Sequence, residues 1–165
     1  IKDSTGTTGY SLLKRKICLE IILSMLMGRS SLLYNQLYDE GLINQSFGSE
    51  ATLEESYGFT AWGGQSNDPL RTAQRIRETI KEFCRNGLNA QDFSRIRKAH
   101  EGRFIRSLNS PENISHEFIA LYFKGANFFD SARVYGELTL TELEKVFGEH
   151  FSMDPALSIV WPLKG

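Results

Sequence analysis

From Ser11 to Met27 apolar residues dominate the chain. At about 100° per residue, Leu13, Ile17, Cys18, Ile21 and Met25 spread widely around a helix axis. A helix that is apolar on nearly every side is predicted to be central and covered. Lys14, Arg15 and Lys16 mark its wet beginning, and Gly28 stops it as a left-handed cap would. Ser30 or Ser31 then caps a short helix, SLLYNQLYDE, ended by Gly41. Two extended segments follow, LINQSFGSE and SYGFTAWGG. The polar ATLEE between them suits a hairpin connection, so an antiparallel pair is predicted.

Asn67-Asp68-Pro69 starts a further helix, with Asp68 as N-cap and Pro69 in the first turn. Leu70, Ala73, Ile76, Ile80, Phe83 and Cys84 fall within an arc of about 140°, the expected core face. Gly87 ends this helix, and Asn89 with Asp92 resembles a capping box for the next, from about Ala90 to Leu108. Ser110-Pro111 restarts the chain into another helix, and the aromatic-rich segment HEFIALYFKGANFFD is expected to be helical at first. TLTELEKVFGEHF follows with a Thr cap, and ALSIVWP reads as a final strand with Pro162 at its edge. Helices thus come in runs between strands. The fold class expected is α+β, a two-layer sandwich with a largely antiparallel sheet and helices packed on one face. The whole of 1–165 reads as a single domain.

Composition narrows the function classes. The chain has 165 residues, with 19 basic and 20 acidic side chains and a net charge of -1. That balance argues against nucleic acid or an anionic membrane as partner. No apolar run approaches the roughly 18 residues of a membrane span. Cys18 and Cys84 make no disulfide framework. Both lie in apolar helical patterns, which suggests buried thiols and a cytoplasmic setting.

Candidate chemistry is sparse. His100, His116 and His150 lack a second His at zinc-binding helical spacing. His100 shares a helix face with Phe93, Ile96 and Phe104 and is expected to be a hydrogen-bonded core residue. No nucleophile elbow or phosphate loop occurs. Asp39-Glu40 and Glu54-Glu55 are neighbours in sequence, which does not make a facing carboxylate dyad. Arg95, Lys98, Arg103 and Arg106 form a basic stripe, read as a solvated face. Tyr57, Phe59 and Trp62 admit an RNA-binding reading, although core packing explains Tyr57, Phe59 and Ala61 equally well. No catalytic residue and no metal ligand is assigned.

The block GRSSLLYNQLYDEGLINQSF resembles a signature of the insulinase/pitrilysin family of zinc peptidases. The matching residues are Gly28, Ser30, Ser31, Leu33, Tyr34, Leu37, Gly41 and Leu42. LNAQDFSRIRKA, TLTELEKVFGEHF and ALSIVWPL are similar to later family elements in the same order. The resemblance implies the non-catalytic, C-terminal homologous half of such a peptidase, in a two-domain or two-subunit bacterial type. Two homologous halves would close like a clam shell around a chamber. The other half would carry zinc on an HxxEH helix, whose Glu acts as general base. This chain has no HxxEH, so any zinc would belong to that partner half, and Ile1 suggests an excised piece. The family's substrate-contacting Arg and Tyr correspond here to Tyr38 and Asn44, which become the candidate peptide-binding residues. An alternative is a structural or assembly subunit on the same fold.

Overall fold

The structure is a computed structural model that describes residues 1–3 and 6–161. Its centre is helix α1 (Gly9–Met27), which buries eleven of its nineteen residues. Leu19, Ile21 and Ile22 are fully enclosed. Each is worth about 1.5–3 kcal/mol relative to exposure. The predicted covered helix is therefore present.

Ser31 accepts a hydrogen bond from Tyr34 N at 3.1 Å and so starts α2 (Leu32–Asp39). Gly41 turns the chain at φ +67, a conformation suited to glycine. Strands β1 (Gly48–Leu53) and β2 (Gly58–Gly63) pair antiparallel, Gly48 opposite Gly63 and Leu53 opposite Gly58. On the other side of β2 the N-terminal segment runs antiparallel. Asp3 N donates to Gly58 O at 2.7 Å, and Thr60 N to Ile1 O at 2.8 Å. α1 lies across this small sheet. The remaining helices are α3 (Pro69–Asn86), α4 (Ala90–Ser107), α5 (Pro111–Tyr122), α6 (Asp130–Glu137) and α7 (Leu140–His150). The fold class is α+β, as the sequence predicts.

Asp68 caps α3 through Arg71 N at 3.0 Å, and Ser110 caps α5 through Asn113 N at 3.2 Å. Thr139 and Glu142 form a reciprocal capping box at α7. Asn89 caps α4, but Asp92 turns to Arg95 at 2.9 Å, so no reciprocal box forms there.

Several expectations are corrected. Ala51, Thr52 and Leu53 belong to β1, so the hairpin turn is Glu54–Tyr57 and not ATLEE. Residues 154–161 form no strand, and Val160 is 93% exposed. Pro162 lies outside the described residues. Gly28 is extended, with φ -66 and ψ 154. Its glycine is needed because a Cβ would strike the Ser24 carbonyl. Arg15 is not at a wet helix start but is largely buried. On α3, Leu70 and Cys84 are exposed and Thr72 and Ile80 are buried. Cys18 is the enclosed thiol, and burial pushes its pKa up to about 12. Tyr57 and Phe59 stand on the open face of the hairpin, whereas Trp62 packs inward, 5.9 Å from the Phe151 ring.

Candidate functional site

The signature block folds as a tight return from α1 to the sheet. Ser31 N donates to Gly28 O at 2.7 Å, and Arg95 donates to Ser30 Oγ at 3.1 Å. Leu37 is fully buried, and its carbonyl accepts from Leu42 N at 2.9 Å and Ile43 N at 3.3 Å. Asn67 closes the return, with Nδ2 donating to Gly41 O at 2.7 Å. Glu40 takes Arg71 and Arg75 at 2.9 Å each, tying α2 to α3. Most family-like residues of the block therefore do structural work.

The two candidate peptide contacts differ. Tyr38 is 42% exposed at the end of α2, its ring stacked 6.2 Å from Tyr34. Asn44 donates to Gln65 Oε1 at 2.6 Å, while its Oδ1 accepts from Ser46 N at 2.9 Å and Ser46 Oγ at 2.6 Å. Its amide thus holds the loop before β1. Tyr38 has a free face for a ligand, while Asn44 would have to release partners to meet one.

Two polar centres escape the sequence reading. In the first, His150 Nε2 meets Thr60 Oγ1 at 2.7 Å, and His150 Nδ1 meets Asp3 Oδ1 at 3.1 Å. This has the connectivity of a hydroxyl–imidazole–carboxylate triad. All three residues are at most 2% exposed, so no substrate reaches the hydroxyl. Arg15 grips the same carboxylate through two hydrogen bonds, at 2.8 and 2.7 Å, and reaches Glu149 at 2.8 Å. That pairing raises the guanidinium pKa. The network is a clamp that fixes the N-terminal segment to α1, β2 and α7. The link spans 147 positions, which is why local motifs do not reveal it.

The second centre is a cavity of about 560 Å³ between α1, β1, α4, α5 and α6. His100 lies in its wall, buried and bonded to Ser24 Oγ at 2.8 Å. It is the hydrogen-bonded core histidine expected from sequence. Burial, reinforced by the Arg103 charge, pushes its pKa down to about 4, so the ring is neutral at pH 7. Burial raises the Glu20 pKa against the opposing pull of Lys16, and Glu117 raises it further. No group of His, Cys, Asp or Glu suited to a metal is found among the described residues. No single helix among them is long and apolar enough to cross a membrane.

Residues 6–99 match the Peptidase M16 inactive domain, more than half of the chain. The chain belongs to the M16 peptidase family. The M16 assignment agrees with the non-catalytic half predicted from the Gly28–Phe47 block. A Bacillus subtilis (strain 168) protein named uncharacterized zinc protease YmfH is 32% identical over 148 residues, covering 88% of this chain and 34% of that protein. An M16-like structure from Alicyclobacillus acidocaldarius superposes with a TM-score of 0.87 at 29% identity, over 90% of this chain and 36% of that one. A protease from Helicobacter pylori shares the fold, with a TM-score of 0.72 at 18% identity, over 91% of this chain and 36% of that one. The chain thus spans about a third of the length of these relatives.

Proposed function

We propose that this chain is the non-catalytic half of an M16 zinc-dependent peptidase, forming one wall of the proteolytic chamber. The match of residues 6–99 to the inactive domain carries this reading. The relative named a zinc protease supports zinc in the whole enzyme. That zinc would sit in a homologous partner half, upstream in the same chain or on a second subunit, where it would polarise the peptide carbonyl and activate water. The present residues would supply a rigid wall and peptide contacts, with Tyr38 the foremost contact and Asn44 the second. The free thiols Cys18 and Cys84 suit a cytoplasmic setting.

Activity of the full-length natural protein on an unfolded peptide tests the reading. Cleavage should be abolished by a chelator and restored by zinc. Tyr38→Ala should raise KM more than it lowers kcat, since it would remove binding and not chemistry. A full-length protein with an intact zinc half and no peptidase activity would favour the structural-subunit reading. The occupied Asn44 amide is the observation on that side.

A further inference from the structure

The cavity between α1, β1, α4, α5 and α6 has no part in the proposal above, and its lining points to a ligand of its own. Its floor is apolar, with Leu13, Ile17, Leu121 and Phe128 all buried. The Phe104 ring lies 5.2 Å from Phe128 and 6.0 Å from Tyr135, so three aromatic rings share one wall. Two polar groups interrupt this surface. Tyr135 is 6% exposed as a residue and lines the cavity. A tyrosine hydroxyl at a cavity wall can both donate and accept a hydrogen bond. Glu20 keeps 34% of its side chain exposed, and its ion pair with Lys16, four residues earlier on α1, is a loose one at 3.8 Å. Its carboxylate is also within electrostatic range of Glu117 on α5 and Arg103 on α4.

We propose that this cavity binds a primary alkylammonium group, from a lysine side chain or a free aliphatic diamine, with Glu20 taking the charge and Tyr135 accepting a hydrogen bond. An ammonium offers three donors and no acceptor, which suits a carboxylate beside a hydroxyl oxygen. Phe104 and Phe128 cover the methylene stem, and the ring faces favour a cation. Lys16 and Arg103 oppose the incoming charge from the rim. Their opposition gives the assignment a test of sign.

Isothermal titration of the full-length natural protein at pH 7 decides the matter. The probes are 1,5-diaminopentane, a short peptide with one central lysine, the same peptide with norleucine, and glutarate. One or both amines should bind, while the norleucine peptide and glutarate should not. Diamine binding identifies a free amine as sufficient, whereas binding by the lysine peptide alone identifies a side chain held by its backbone. Glu20→Gln should weaken the bound amine about tenfold or more, and Tyr135→Phe by several-fold, each through a lost hydrogen bond. Arg103→Ala should tighten it. Failure of both amines on natively folded protein, glutarate in their place, or an affinity indifferent to Glu20→Gln overturns the proposal. Peptidase activity is not read in this experiment, so loss of the chamber-wall reading leaves it standing.

Discussion

Arg15 and Glu20 lie five residues apart on α1, and the fold treats them in opposite ways. Arg15 is held by Asp3 through two hydrogen bonds, and the same carboxylate orients His150. Every charge in that clamp has a close partner, and the three-residue relay inside it is closed to solvent. Glu20 opens on a cavity, in a loose ion pair with Lys16 at 3.8 Å, with Tyr135 in the same wall. The comparison shows that connectivity alone does not identify a site. A satisfied, enclosed triad is architecture, and a loosely paired, accessible group facing a cavity is where a ligand gains something.

The clamp is the place to expect the largest loss. Asp3→Ala leaves the buried Arg15 with Glu149 alone among the described residues and should destabilise the chain by about 3–5 kcal/mol, measured by urea unfolding. A change below about 1 kcal/mol would show that the clamp is not a stabilising unit. The cavity side is sharpened by pH. The folded pKa of His100 is depressed to about 4, below its ordinary 6.5. The unfolded chain therefore binds this proton first as pH falls. Stability should be full above about pH 6.5 and decline toward pH 4, by an amount on the order of 3 kcal/mol. His100→Gln, which can keep a bond to Ser24, should flatten that part of the profile. An unchanged slope would mean that other groups carry it.

Ser31→Ala, which removes the α2 cap, should cost about 1 kcal/mol. The smallest effect is of opposite sign. The raised Glu20 pKa means that its ionised form is disfavoured on folding, a penalty absent below the unfolded pKa and incurred as pH rises through the folded one. Glu20→Gln should therefore stabilise slightly at pH 7, and a loss of stability would show that Lys16 already compensates it.

Much of the helical framework is legible in the sequence because its signals are local. Asp68 with Pro69, Ser110, Thr139 with Glu142, and the all-round apolar α1 each announce themselves within a few residues. The strands are less legible. Ala51–Leu53 reads as a polar connection because only Leu53 of β1 is buried, so alternation is weak. The apolar arc of α3 is legible in its middle, where Ile80 joins the core and Ile76 and Phe83 pack against it, but not at its ends, where Leu70 and Cys84 are exposed. Residues 154–161 carry strand-like composition without forming a strand. The clamp and the cavity are built from Asp3, Thr60 and His150, and from Glu20, His100 and Tyr135, each set distant in sequence. No spacing rule joins such residues before the fold does.

Metal analysis and peptide-cleavage assay of this chain, alone and then mixed with the zinc-bearing half, test the central claim most directly. The account predicts no stoichiometric zinc and no cleavage by the chain alone, and zinc-dependent cleavage once the other half is supplied. Zinc bound one-to-one by this chain with cleavage in the absence of any partner would contradict it.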